Sequence, residues 1–192
     1  MSTAKKLFSL IYGCLKESRS KLQLPVRQRA KVEGWLKVEL LYSIWQKLLH
    51  RIPNLEIKIE QPYPNNENLH CDIFFVTPQK KHVYLELKII NTSYDCNSNL
   101  IPKKTKPITM NVKSITVASE RLREITKKDK RNKGFVAFIV YPLCEKNLVH
   151  EWKDHEKKIN GQRFLKKIDV QNLYVFPNSK RIFMRLYLYQ VT

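Results

Sequence analysis

The chain has 192 residues with a hydrophobic fraction of 43%, enough for a buried core, and this length predicts one domain spanning residues 1–192. Lysine and arginine number 36 against 17 for aspartate and glutamate, so the formal charge of +19 predicts a polyanionic partner such as nucleic acid. The most apolar stretch, residues 134–144, is too short for a membrane span, so we expect no membrane partner. The four cysteines are widely spaced without a C-x-x-C pair, which excludes a zinc finger and favours a reduced, cytoplasmic setting.

The N-terminal third of the chain is predicted to be mainly helical. Residues 4–17 have apolar side chains at helical spacing and predict an accessory helix. Residues 18–31 are basic and contain Pro25, so we expect a connection there. Residues 32–52 form the strongest predicted helix. Its expected buried stripe consists of Leu41, Ile44, Trp45 and Leu48, with Val38 and Leu40 on the flanks.

The central part of the chain predicts three strands. Residues 55–63 alternate between apolar and charged side chains, which is typical of a half-buried strand. Residues 71–76 and 82–90 read as two further strands, and Pro78 lies in the turn that joins them. Residues 91–109 then form a long polar loop, and a loop of this length in a compact domain is often functional.

The C-terminal part returns to alternating helices and strands. Residues 110–131 predict a helix, and residues 135–142 predict a buried strand without alternation. A further helix over 144–159 and strands over 170–177 and 181–191 complete the chain. The order of these elements predicts an α/β fold with a mixed sheet covered by helices.

The predicted hairpin gathers charged side chains on strands of core quality. Glu86 and Lys88 are two residues apart and share one face of their strand. Asp72 and Glu86 are symmetric about Gln79, so antiparallel pairing places them opposite each other, within about 5 Å at Cα. Two such carboxylates repel unless a cation lies between them, and a hard divalent metal prefers oxygen ligands.

The acidic-x-Lys tripeptide is a weak signal by itself, because this lysine-rich chain contains four such matches. Two of them fall in a predicted helix, and the match at Glu56 has no acidic partner on a preceding strand. Only the match at Glu86 has that partner, Asp72. The alternative is an ordinary cross-strand salt bridge from Asp72 or Glu86 to Lys88.

This combination of strand, turn and charge resembles the PD-(D/E)XK nuclease superfamily, which has the restriction-endonuclease-like fold. The resemblance covers residues 30–142 and implies a catalytic core with the order α-β-β-β-α-β. Residues 1–29 would then be an accessory helix and linker, and residues 143–192 a C-terminal extension with a helix and two strands. The proline that precedes the acidic residue in the family is replaced here by Cys71.

The resemblance also implies roles for individual residues. Asp72 and Glu86 look like metal ligands, the carbonyl of Leu87 like a further ligand, and Lys88 like the residue that activates water. The expected cofactor is Mg²⁺, for which Mn²⁺ can substitute.

The family often adds an acidic residue from the first core helix, and two glutamates are candidates. Glu33 lies at the edge of the predicted apolar stripe, beside Leu40 and Ile44, whereas Glu39 falls nearly opposite its centre. We therefore expect Glu33 to be the catalytic carboxylate, with Glu39 as the alternative. A structural role for Glu33 is favourable charge at the helix N-terminus.

Basic and polar residues beyond the hairpin are candidates for nucleic-acid contacts. The loop lysines are Lys103, Lys104 and Lys106. Asn91 and Thr92 follow Lys88 directly and would either position substrate or cap a turn.

The function expected from this sequence is a metal-dependent nuclease, specifically a DNA endonuclease acting in defence, restriction or repair. One alternative is a module with the same fold that binds nucleic acid without cutting it. Another is a subunit whose activity depends on a partner protein, and a homodimer is also compatible with the sequence.

Overall fold

The computed structural model describes residues 3–28, 30, 32–49, 54–92, 94, 96, 108–149, 151–176 and 182–192. Its helices are α1 (Thr3–Glu17), α2 (Arg19–Gln28), α3 (Glu33–Ile44), α4 (Ile108–Lys128), α5 (Glu145–Val149) and α6 (Trp152–Asn160), and a π-helical turn (Trp45–Leu49) follows α3. Its strands are β1 (Glu56–Tyr63), β2 (Asn66–Val76), β3 (His82–Asn91), β4 (Asn132–Leu143), β5 (Leu165–Tyr174) and β6 (Phe183–Val191). None of the described helices is long and apolar enough to cross a membrane.

The described strands form one mixed sheet in the order β1-β2-β3-β4-β6-β5. All neighbouring strands are antiparallel except β3 and β4, which run parallel. A parallel pair needs a crossover connection, and α4 lies between these two strands in the chain. The predicted α/β fold with a mixed sheet and flanking helices is thus confirmed, and α3, β1, β2, β3, α4 and β4 follow one another in the expected order.

Helices pack on both faces of the sheet, because successive side chains of the central strands point to opposite faces and are apolar on both. On one face, α1, α2 and α3 pack against odd-numbered β3 residues such as Leu85 and Leu87. On the other face, α4 and α6 pack against even-numbered β4 residues such as Val136 and Phe138. Trp152 of α6 is fully buried in this second cluster.

Residues 18–31, predicted as a connection, instead contain helix α2. Pro25 lies inside this helix, where an interior proline costs about 3 kcal/mol. Leu22 and Val26 are four residues apart and both are buried against the core. Burial of two such side chains contributes about 1.5–3 kcal/mol each, which offsets the cost of the proline.

The buried face of α3 also differs from the predicted stripe. Leu36, Leu40 and Ile44 are buried at a spacing of four residues, although the sequence placed Leu40 on the flank. Trp45 was expected in the core and is 52% exposed. For Trp45 the reason is the π-helical turn that begins at this residue, because it changes the angular spacing assumed for one regular helix over residues 32–52.

Two further residues of the predicted stripe and its flanks are less buried than expected. Leu41 is half-buried, and Val38, expected on the flank, is 63% exposed. The side chain of Leu48 lies outside the described part of the structure.

The C-terminal elements differ from their predicted bounds. The single helix expected over 144–159 consists of α5 and α6, with residue 150 outside the described residues. Strand β5 begins at Leu165, five residues before the predicted start, because it pairs with β6 from Leu165↔Val191 onwards. The position of a pairing partner is a tertiary property, which local patterning does not report.

The four cysteines are free and buried. Cys144 donates through its thiol to Asn147 Oδ1 over 2.8 Å. Burial raises the pKa of the Cys14 thiol, and burial together with the nearby Glu86 carboxylate raises the pKa of Cys71 to about 12. These two thiols therefore stay protonated at neutral pH and behave as small apolar core groups.

Candidate active site

The hairpin of β2 and β3 has the register predicted from its sequence. Ile73 pairs with Leu85, and Phe74 pairs with Tyr84, so the two strands are symmetric about residue 79. The paired residues end at Ile73 and Leu85. Asp72 is the residue before Ile73 and lies just past this last pair. Its Oδ2 accepts a hydrogen bond from the backbone N–H of Leu87 over 2.6 Å.

Lys88 extends to the point where three oxygen atoms of the hairpin converge. Its Nζ lies 2.9 Å from Glu86 Oε2, 3.0 Å from the Leu87 carbonyl oxygen and 3.4 Å from Asp72 Oδ2. These atoms belong to the residues that the sequence predicted as metal ligands. The ammonium group of Lys88 is therefore a cation held by that set of oxygens.

Of the two candidate glutamates on α3, Glu33 lies near this cluster. Its Oε1 is 3.9 Å from Lys88 Nζ. Glu39 faces the N-terminal helices, where Oε1 pairs with Lys21 over 2.7 Å and Oε2 accepts from Ser18 over 3.5 Å. The structure thus brings Glu33 together with the hairpin residues and places Glu39 elsewhere.

Lys37 is a member of the cluster that the sequence analysis missed. Its Nζ lies 2.6 Å from Asp72 Oδ1 and 2.6 Å from Glu60 Oε1 on β1. Lys37 is one helical turn after Glu33, so both side chains leave α3 on the same face. That spacing was the signal available in the sequence.

Tyr63 is the second missed residue. It is 2% exposed, and its hydroxyl donates a hydrogen bond to Glu86 Oε1. Glu86 is therefore held by Tyr63 at one oxygen and by Lys88 at the other. No sequence signal indicated this contact, because it depends on the pairing of β1 with β2, which brings Tyr63 to Glu86 of β3.

The two hairpin carboxylates are almost completely removed from solvent. Asp72 is 5% exposed and Glu86 is 3% exposed. Burial, supported by repulsion from Asp72, raises the pKa of Glu86 against the opposing attraction of Lys88. Burial alone would lower the pKa of Lys88, but the carboxylates of Glu86 and Asp72 outweigh it, so the pKa of Lys88 is raised.

Two other groups at the site have raised pKa values. Burial and the Glu86 carboxylate raise the pKa of Tyr63, which keeps its hydroxyl protonated as a donor. Burial lowers the pKa of Lys37, but hydrogen bonds to Asp72 and Glu60 more than compensate, so that pKa is raised. Both lysines are therefore cationic at neutral pH.

The predicted nucleic-acid contacts have different outcomes. Thr92 is fully buried; its hydroxyl donates to the Pro142 carbonyl and its N–H donates to Tyr141. These contacts favour the structural role for Thr92, since they fix the end of β3 against β4. Asn91 is the last residue of β3, opposite Tyr141. The loop lysines lie outside the described residues.

The donor set at the hairpin fits a hard divalent cation by its chemistry. Within the described part of the chain, no group of three or more His, Cys, Asp or Glu side chains is arranged to hold a metal ion. The hairpin instead offers two carboxylates, Asp72 and Glu86, and one backbone carbonyl, Leu87, all within 3.4 Å of one cation, Lys88 Nζ. Oxygen ligands of this mixed kind are those that Mg²⁺ and Mn²⁺ prefer, often completed by water.

Comparisons with known proteins give no relative for this site. No protein-family model matches the chain, and no curated protein and no solved structure matches it.

Proposed function

We propose that this chain is a Mg²⁺-dependent nuclease with a restriction-endonuclease-like fold that hydrolyses phosphodiester bonds in DNA. One observation carries the proposal. Oxygens of Asp72, Glu86 and Leu87 converge on a single cation, the ammonium group of Lys88, at the splayed end of a buried hairpin. In this proposal Asp72, Glu86 and the Leu87 carbonyl would hold Mg²⁺, and the Lys88 ammonium group would face the substrate.

The reaction adds water across a phosphodiester bond. The oxygen of water forms a bond to phosphorus, and the bond from phosphorus to the leaving oxygen breaks. One water proton is released to solvent, and the leaving oxygen gains a proton, so the products are a phosphomonoester and a hydroxyl group. A bound Mg²⁺ supplies positive charge at the phosphate and lowers the pKa of its water.

The chain's own residues divide the remaining tasks. Asp72 and Glu86 hold the cation, and the Tyr63 hydroxyl fixes the orientation of Glu86. Lys88 would orient the attacking water and offset negative charge that develops on the phosphoryl oxygens. Glu33 adds a carboxylate next to this position, since it already lies 3.9 Å from Lys88 Nζ.

The charge of the chain supports a nucleic-acid substrate. The formal net charge of +19 gives strong, salt-dependent attraction to a phosphate backbone. The loop lysines follow the hairpin in sequence, and we propose that they bind the phosphates next to the scissile bond. DNA is the substrate that the resemblance to restriction endonucleases favours.

A second function, nucleic-acid binding without cleavage, is favoured by a different observation. Lys37 and Lys88 already neutralise the buried carboxylates of Asp72 and Glu86. A cluster satisfied in this way is stable without a metal, so the same fold would serve as a binding module. In a partner-dependent nuclease, a variant of the first proposal, another protein or a second copy of this chain would release Lys88 from its contacts with Asp72, Glu86 and the Leu87 carbonyl.

Cleavage of supercoiled plasmid with Mg²⁺ distinguishes these functions. The wild type is compared with Lys88→Ala and with Lys58→Ala, an exposed lysine in the same acidic-x-Lys pattern. The nuclease proposal expects nicking by the wild type and Lys58→Ala, and loss of nicking in Lys88→Ala and in chelator. Plasmid that stays intact with Mg²⁺ and with Mn²⁺, yet shifts in a gel, would overturn cleavage by this chain alone and favour binding.

A further inference from the structure

Asp72 is shared between two cations. Its Oδ2 faces Lys88 Nζ at 3.4 Å, and its Oδ1 faces Lys37 Nζ at 2.6 Å. Two-metal hydrolytic sites use a carboxylate in this way, with one oxygen directed to each of two ions about 3.5–4 Å apart. Here lysine ammonium groups face both oxygens, Lys88 at Oδ2 and Lys37 at Oδ1.

The position of Lys37 has fewer oxygen ligands than the position of Lys88. Lys37 contacts one oxygen of Asp72 and one of Glu60. Lys88 contacts three oxygens and has Glu33 nearby. Since Mg²⁺ requires close to octahedral oxygen coordination, the Lys88 position is the one where a metal gains most.

Glu60, the second ion-pair partner of Lys37, has an unusual backbone conformation. The register of β1 and β2 pairs Ile59 with Ile73 and Gln61 with Cys71, which places Glu60 opposite Asp72. Glu60 has φ 47°, the left-handed region that non-glycine residues rarely adopt in a strand. Such a conformation is strained and persists where surrounding contacts stabilise it. The ion pair with Lys37 is one such contact.

The net charge of the cluster would be balanced by one divalent ion. Among the described side chains in this ion-pair network, the carboxylates of Glu33, Glu60, Asp72 and Glu86 face the ammonium groups of Lys37 and Lys88. With all of these groups ionised, two negative charges remain. One Mg²⁺ would neutralise them, whereas a second would add unbalanced positive charge beside the buried carboxylates of Asp72 and Glu86.

Resting on the proposed function, we infer that Lys37 takes the place of a second metal ion, so that this site binds a single divalent cation. Lys37 pairs with Oδ1 of Asp72, whereas Oδ2, which accepts the Leu87 N–H, faces the Lys88 position. Lys37 is thus a positioning residue that fixes both the orientation of Asp72 and the number of ions bound.

The inference is tested by counting bound Mn²⁺, measured from the free-ion signal in electron paramagnetic resonance during titration of the purified chain. We expect about one ion for the wild type and about two for Lys37→Met, because Asp72 Oδ1 and Glu60 become available. The control is Lys21→Met, which removes an exposed lysine paired with Glu39 and should leave one ion. The double variant Lys37→Met with Glu60→Gln should return to one ion.

The possible results separate this inference from the proposed function. Two ions in the wild type, or one ion in a folded Lys37→Met variant, would overturn the role of Lys37. No ion bound by the wild type would overturn the metal site itself. If Lys37→Met does not fold, Glu60→Gln gives a second test: one ion retained supports the inference, and loss of that ion would contradict it.

Discussion

The backbone N–H of Leu87 donates a hydrogen bond to the carboxylate of Asp72 over 2.6 Å, one position beyond the last paired residues of β2 and β3. A side chain here serves as the acceptor at the point where the two strands separate. Asp72 therefore has a structural task, which is to satisfy a buried backbone donor, as well as its proposed task as a metal ligand.

Substitution of Asp72 should separate these two tasks. Asp72→Asn keeps an oxygen acceptor for the Leu87 N–H, whereas Asp72→Ala leaves this buried donor unsatisfied, at a cost of about 1–3 kcal/mol. We expect Asp72→Asn to be more stable than Asp72→Ala by that amount in urea unfolding. Both variants should lose Mg²⁺-dependent cleavage. Equal stability of the two variants would contradict a structural role for the hydrogen bond.

Tyr63→Phe should weaken metal binding without removing a ligand. The tyrosine hydroxyl orients Glu86, and loss of such a partner lowers metal affinity by about 10–100-fold. We expect cleavage by Tyr63→Phe to recover at higher Mg²⁺, which a titration of rate against Mg²⁺ measures. Tyr84→Phe is the matched control, because the ring of Tyr84 packs against the ring of Tyr63. An unchanged Mg²⁺ dependence in Tyr63→Phe would argue against this role.

The loop lysines should contribute to the salt dependence of DNA binding. Each phosphate contact adds about 0.9 to the slope of log affinity against log salt. Replacement of all three loop lysines by alanine should reduce that slope by up to about 3. A control of equal charge replaces Lys153, Lys157 and Lys158. If both triple variants change the slope equally, the attraction is a property of net charge and the loop has no special part.

Tyr187→Phe should destabilise the second core cluster. The buried indole N–H of Trp152 donates to the Tyr187 hydroxyl over 2.7 Å, so the variant leaves this donor unsatisfied and costs about 1–3 kcal/mol. Tyr189→Phe should cost less, because the partner of its hydroxyl, Asn160, is exposed and can bind water. Urea denaturation of both variants measures the difference. A larger loss for Tyr189→Phe would contradict this account.

Stability should fall on acidification through the titration of His155. Burial, together with the positive charge of Lys158, lowers the pKa of His155 in the folded chain. The unfolded chain has the ordinary histidine pKa of about 6.5, so it binds the proton first as the pH falls. Stability is therefore full above that pH and decreases below it. Thermal unfolding between about pH 5 and pH 8 should show this decrease, and His155→Gln should reduce it. An identical pH profile in the variant would exclude His155 as the cause.

Much of the hairpin was predictable, since strand geometry is regular. Side chains alternate with a period of two, so Glu86 and Lys88 must share a face. A short turn fixes the register, so Asp72 must lie near Glu86. Local regularity of this kind is carried by neighbouring residues and needs no knowledge of the rest of the chain.

The helical contributions were predicted less well. The preference for Glu33 over Glu39 agrees with the distances, although the apolar stripe used to choose between them was partly wrong. A helical wheel gives the relative directions of side chains on one regular helix. It does not report the π-helical turn after Ile44 or the burial that sustains Pro25 inside α2.

The sequence by itself determined the mixed α/β fold, the pairing of the central hairpin and the closeness of its two acids, because periodicity and turn length act over short distances along the chain. Only the tertiary structure decided that Lys37 and Tyr63 complete the cluster and that Lys88 lies among three oxygens. These contacts join residues from α3, β1, β2 and β3, and their geometry depends on how whole elements pack against one another.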